Sequence, residues 1–335
     1  MVTMDAFSHC QFLVSSHFPP ELVLKTIQYL PFGNGKIIAS LRGTHSRFRN
    51  LLDNYERSIT VSFMKQELRH APTDFVCPRA PDLNWLAHCV KRYDVVDDIM
   101  DALFSDKNCF AVERHNLSLV NAGLLLLYRL ASIANCNARL AYINSLQRDP
   151  LTAIYLALHH ATLSARYHGS GWINQRTYGR FMDANQVSLR SELEFCFAEA
   201  ALNIGPDFLS DMLLHHDTSD AGTALLNYYH DYGTHDWDWP CWGKGKGEFE
   251  PPRTQGPHKE PGSKGQSLFT AMLERMAELI KCPVEDVRAR IEQNTDAKGH
   301  SLAYLDLEGK ARLMQGLNLE FVGDGQPDSS IITHL

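Results

Sequence analysis

Apolar residues along this chain recur at helical spacing, and almost nowhere do they alternate as they would in a strand. Leu22, Val23, Ile27 and Leu30 form one apolar face, opened by Pro19-Pro20-Glu21 and closed by Pro31, Gly33 and Gly35. Proline suits the start of a helix, where its missing N–H costs nothing, and an acid there faces the positive end of the dipole. Ile37, Ile38 and Leu41 predict a second short helix; Phe48, Leu51, Leu52 and Tyr55, at i, i+3, i+4 and i+7, predict a third. Ile59, Phe63 and Leu68 read as a short connecting helix, and prolines at 72, 78 and 81 break the chain after it.

Further helices follow. Asp82 is placed to cap one through Tyr93, with a second piece from Val95 to Phe104. Leu117 to Ile133 is apolar nearly all round, the pattern of a central buried helix. Asp149-Pro150 reads as cap and first turn of a helix through Thr162, Ser188 as the cap of one through Ala200 that ends at Gly205-Pro206. Phe208 to Leu213 and Leu225 to Tyr232 mark two more. Leu317 to Val322 is the one stretch read as a short strand. The expected fold class is all-α.

Between Gly243 and Gln266 the only large apolar residue is Phe249, so this stretch is expected to be a linker that cannot repay the entropy of ordering. Beyond it, Leu268, Phe269, Met272, Leu273, Met276, Leu279 and Ile280 form an amphipathic stripe, and Pro283 opens a second helix with Val284, Val287 and Ile291. This pair should dock on the body. The expected organisation is a three-helix motif at 17–57, a helical body at 58–242, the linker at 243–266 and a C-terminal helical segment at 267–335.

Composition narrows the function classes. The 335 residues are 44% hydrophobic with a formal net charge of −7, ordinary for a protein with a real core and unsuited to general nucleic-acid binding. The eight cysteines form no Cys-x-x-Cys pair, and no basic stretch followed by an apolar run opens the chain. A reducing cytoplasmic or nuclear setting is therefore expected, with cysteines as small buried hydrophobes. The run Ala122–Leu127, closed by Arg129, falls far short of the ~20 residues that a membrane span needs.

Candidate chemistry is thin. His230, Asp231, His235, Asp236, Asp238 and Cys241, with His215, His216 and Asp217 upstream, are zinc-ligating types at no recognised ligand spacing. The tryptophans at 237, 239 and 242 make that stretch read as an aromatic-anchored loop. His159 and His160 are helix neighbours about 100° apart, ill-placed to share one metal. Gly243-Lys244-Gly245-Lys246-Gly247 lacks phosphate-loop spacing, and Gly169-Ser170-Gly171 lacks the nucleophile-elbow frame. No catalytic residue, cofactor or metal is assigned.

Residue order carries more in the first helices. Phe18-Pro19-Pro20-Glu21-Leu22, then Ile27, Tyr29-Leu30-Pro31, then Leu41 and His45-x-x-Phe48-x-x-Leu51-Leu52 resemble the F-box, a family that opens on Leu-Pro-x-Glu-Leu and closes on Cys-x-x-Phe/Trp-x-x-Leu. Phe18 replaces the first leucine, His45 the cysteine, and Gly33-Asn34-Gly35-Lys36 the usual Asp-Leu. The resemblance implies a plug for the Skp-type adaptor of an SCF-type cullin–RING ubiquitin ligase, with the body presenting an unknown protein substrate and with no catalysis in this chain. It implies adaptor contacts at Phe18, Pro19, Pro20, Glu21, Leu22, Leu30, Leu41, Phe48 and Leu52, with Arg47 and Arg49 as rim charges. Residues 17–57 carry six Lys/Arg to three Asp/Glu, a net +3 on a chain of −7, which suits an acidic adaptor. No nucleic acid or membrane is expected as a partner. Two other readings fit the same residues: a helical scaffold whose N-terminal helices are part of its core, and a metal-dependent enzyme using the His215–Cys241 region.

Overall fold

In the computed structural model, the residues described are 18–108, 116–169, 173–174, 187–214, 220–233, 266–295 and 305–319. Every regular element among them is helical, so the all-α expectation stands. Leu317–Leu319 form no strand, and the rest of the stretch expected to be one, like most of the 243–266 linker, lies outside the described residues. No described helix is long and apolar enough to cross a membrane. The chain divides into two compact units at Asp97/Asp98.

In the first unit, α1 (Pro20–Gln28), α2 (Lys36–Thr44) and α3 (Ser46–Gln66) are followed by the one-turn α4 (Ala71–Asp74) and by α5 (Leu83–Leu103), within which the division falls. Two expected breaks are absent. The third helix and the connecting helix are one element, α3, which continues through a non-helical Tyr55 (φ −114°, ψ 15°). The two pieces expected between Asp82 and Phe104 are likewise one helix, with no proline or glycine to interrupt it. Asp82 caps it as expected, Oδ1 accepting from Trp85 N–H at 2.7 Å.

The core of this unit gathers Val23 and Ile27 of α1, Phe32, Ile38 of α2, Leu52, Ile59 and Phe63 of α3, and Leu83 and Leu86 of α5. Phe32 lies in the loop between α1 and α2, fully buried, with its ring 5.2 Å from that of Phe63. Its N–H reaches both carboxylate oxygens of Glu67, at 3.1 and 3.3 Å, which ties the loop to the end of α3. The turn beside it needs left-handed backbone at Gly33, Asn34 and Gly35 (φ 47°, 58° and 75°), which glycine and asparagine supply at little steric cost.

The second unit is built around α6 (Leu117–Ala131) and α8 (Arg148–His168), which pack closely along one another. Leu119 and Val120 and every residue from Ala122 to Tyr128 are buried, as expected of a central helix. Gly123 permits the close approach: a β-carbon there would drive into the Ala153 carbonyl of α8. Around the pair lie α7 (Cys136–Ser145), α9 (Val187–Ile204), α10 (Pro206–Leu214), α11 (Asp220–Tyr232), α12 (Leu268–Ile280), α13 (Val284–Thr295) and α14 (Leu307–Met314). α8 begins at Arg148, one residue before its expected cap, and Asp149 has another role. Its buried carboxylate accepts from Leu319 N–H at 2.9 Å and from Arg148 Nε at 3.0 Å, drawing the chain after α14 onto the start of α8.

In the C-terminal helix pair part of the expected stripe is buried, whereas Val284 is 40% exposed. Leu268, Met272 and Met276 are buried with Ala271 and Ala277, and Val287 and Ile291 follow on α13. The anchor is a residue the pattern did not single out. Glu199 of α9, 1% exposed, accepts from Ser267 Oγ at 2.8 Å, Leu268 N–H at 3.1 Å and Phe269 N–H at 2.8 Å. The two amides are orphan donors at the start of α12, and an anion there also meets the positive end of the helix dipole. Asn203 Nδ2 adds a bond to Glu199 Oε1 at 3.0 Å, and Arg139 Nη1 holds Asn203 Oδ1 at 2.9 Å.

Candidate functional site

Exposure separates the implied adaptor contacts on α1, α2 and the first turns of α3 into three groups. Outward lie Pro19, Glu21 and Leu22, all exposed, Leu22 at 48%. Half-buried lie Phe18, Pro20, Leu30, Leu41 and Phe48, and of these Phe18, Leu41 and Phe48 pack against the unit's core while keeping an open edge. Leu52 is 0% exposed and belongs to that core, so it is not available to a partner in this fold. The helical period explains it. Once α3 runs on to Gln66, its inward stripe is set by Ile59 and Phe63, and Leu52 falls on that stripe, whereas Tyr55 is turned out.

Local bonds hold these helices in shape. Pro19 takes the N-cap position of α1, its carbonyl accepting from Leu22 N–H at 3.2 Å and Val23 N–H at 3.4 Å. The Phe18 carbonyl accepts from the Arg47 guanidinium, which joins the chain before α1 to the first turn of α3. Arg47 thus has a structural partner as well as the rim position expected of it, while Arg49 is exposed. His45, in the slot where the F-box pattern has cysteine, caps α3: its Nδ1 accepts from Arg47 N–H at 3.1 Å. Its ring meets Phe48 edge-on at 6.5 Å. Arg42 of α2 pairs with Asp53 at 2.9 Å and Glu56 at 3.8 Å, a surface contact worth ~0–1 kcal/mol.

Elsewhere the polar chemistry is structural. Tyr93 O–H donates to the buried Asp74 at 2.7 Å, and burial, reinforced by that bond, pushes the phenol well above its usual range. Burial also pushes the thiols of Cys89 and Cys196 up to about 12. Cys77 and Cys136, in contrast, are exposed, unlike the buried hydrophobes expected of the cysteines. His160 is buried and His159 half-buried, with Tyr155 stacked on His159 at 5.8 Å. Of the stretch considered for zinc, His230 and Asp231 are described, both well exposed and 3.9 Å apart; His215, His216, Asp217, His235, Asp236, Asp238 and Cys241 lie outside the described residues. Among the described residues no cluster of three or more ligating side chains forms.

Sequence patterning missed Phe32, Glu67 and Glu199. Phe32 sits between Pro31 and Gly33, where a turn reading discounts an aromatic; the two acids have partners distant in sequence.

No family model, curated protein or solved structure matches this chain.

Proposed function

We propose that this protein is a substrate-recruiting adaptor of an SCF-type cullin–RING ubiquitin ligase, docking to the Skp-type adaptor through the F-box-like helices α1–α3. The observation that carries the reading is that Leu22 is exposed and Phe18, Leu41 and Phe48 are only half-buried, while Val23, Ile27, Ile38 and Leu52 of the same helices are satisfied in a core. Helices that meet their own packing needs and still keep apolar surface at the motif positions suit a protein interface. The second unit then holds the substrate, and this chain contributes proximity to a reaction that other subunits catalyse.

The test is co-purification of the full-length chain with purified Skp-type adaptor. Retention on the adaptor, abolished by Leu22→Asp with the melting temperature unchanged, supports the reading; a well-folded chain that fails to bind excludes it. Leu22→Asp is a cleaner probe than Phe48→Asp, because Phe48 also packs on the core.

One observation favours the scaffold reading as the runner-up. Ile59, Phe63, Leu83 and Leu86 share one core with the motif, so residues 18–57 are not a self-contained plug. Loss of cooperative unfolding in the first unit on deleting residues 1–57, together with absent adaptor binding by the full chain, would select it.

A further inference from the structure

We propose that a row of four half-buried rings, Tyr228 and Tyr232 of α11, Phe195 of α9 and Phe269 of α12, binds an extended, proline-rich segment of a partner protein that carries a basic residue. The proposal stands apart from the adaptor reading, since all four rings belong to the second unit and its test uses no adaptor. Tyr228 and Tyr232 are four residues apart and share a face of α11, their rings stacked at 6.4 Å. Phe195 meets Tyr232 edge-on at 5.9 Å and Phe269 edge-on at 5.7 Å. The row is therefore continuous across three helices, and each ring keeps part of its surface open. Other side chains fill the core beneath: Leu225 and Tyr229 of α11, Cys196 and Phe197 of α9 and Met272 of α12 are all buried.

The phenols select the conformation of the occupant. Neither hydroxyl makes a hydrogen bond among the described residues. Burial, then the Glu199 carboxylate, pushes both phenols up to about 12, so at neutral pH they stand as donors. A polyproline II segment leaves its backbone carbonyls without internal partners, and its proline rings pack on aromatic surfaces. A helical ligand has already satisfied its carbonyls, and an added strand needs a sheet edge, which no described element offers. The exposed charge at the row is acidic. Three ionised side chains act on these phenols. Glu199 is buried and bonded to α12, and Arg139 is half-buried and engaged by Asn203 Oδ1 at 2.9 Å. The Asp231 side chain is 68% exposed, with the exposed His230 at 3.9 Å. Asp231 is thus open to an arginine or lysine of the partner.

The test is fluorescence anisotropy of a labelled peptide of repeating Pro-Pro-Leu that ends in two arginines, titrated with the full-length protein. Saturable binding is expected, lost when alanine replaces the prolines and weakened when glutamate replaces the arginines. Tyr232→Ala should weaken it at least ~10-fold. Tyr232→Phe keeps the ring and its packing, and loss of the hydroxyl alone should weaken binding about 2–10-fold. Asp231→Lys should reverse the preference between the arginine and glutamate peptides. No binding by folded wild type, or equal binding of the alanine peptide, overturns the proposal. So does binding left unchanged by both Tyr232→Phe and Asp231→Lys. Sedimentation of the chain alone tests the rival occupant: self-association lost in Tyr232→Phe would assign the row to a second copy and overturn the proposal.

Discussion

At the scale of single residues, two glycines make opposite demands. Gly123 lies where α6 and α8 touch, so Gly123→Ala should destabilise by about 1–3 kcal/mol, the cost of overpacking a close contact. Gly43, inside α2, would place a β-carbon in open space, so Gly43→Ala should stabilise by about 0.5–1 kcal/mol through helix propensity. Denaturant midpoints of the two variants check both signs. Leu22 and Leu52 give a second contrast, since the F-box resemblance implies an adaptor contact for both. Leu52→Ala should cost about 2–5 kcal/mol and Leu22→Ala very little. Periodicity placed both leucines on helices correctly. It could not tell which faced inward, because that depends on α3 continuing to Ile59 and Phe63.

Buried titratable groups add a pH dependence. Burial, helped by the nearby carboxylates of Glu192 and Glu199 at Cys196 and of Glu199 at Tyr228, raises Cys196 from 9.0 and Tyr228 from 10.0 to about 12. The fold favours their neutral forms, so the stability they contribute is complete below about pH 9 and is lost as pH rises toward 12. Thermal unfolding of the second unit should therefore weaken across that window, and less so in Tyr228→Phe. A melting series from pH 8 to 12 that shows no decline would contradict this.

At the scale of elements, α12 shows what pattern can and cannot find. Its stripe, from Leu268 to Met276, was legible because a helix against a core repeats its apolar positions. Glu199 was not, because it is one acid on an apolar helix and its partners lie about seventy residues away. Glu199→Ala should leave the Leu268 and Phe269 amides and the Ser267 hydroxyl unsatisfied in a buried setting, at about 1–3 kcal/mol or somewhat more for a charged acceptor. Hydrogen exchange should then accelerate over α12 before α6 or α8, whose contacts do not include this carboxylate. Uniform acceleration across the second unit would mean that α12 is not a separately anchored element. Asp149 followed the same rule: its sequence position beside Pro150 pointed to a cap, but its role is set by Leu319.

At the scale of the molecule, the all-α class and most of the described helices were readable, but the helices Cys136–Ser145 and Leu307–Met314 and the partition were not. A boundary at residue 57 followed the length of a motif, whereas the first unit closes its core with Leu83 and Leu86 and ends at Asp97. Deleting residues 1–57 should therefore abolish cooperative unfolding of what remains of the first unit, because Ile59 and Phe63 lose Val23, Ile27 and Phe32. A deletion variant in which residues 58–97 still unfold cooperatively would contradict the shared core. Which of the positions implied by the F-box resemblance are exposed was not legible, because motif matching marks positions that a family uses and the fold decides which of them reach the surface.

The most direct measurement of the central claim is a calorimetric titration of the full-length protein with purified Skp-type adaptor, beside Leu22→Asp at matched stability. The account predicts saturable one-to-one binding by the full-length chain and none by the variant. A folded wild-type chain that gives no heat and no complex, or a variant that binds as tightly as wild type, would contradict it.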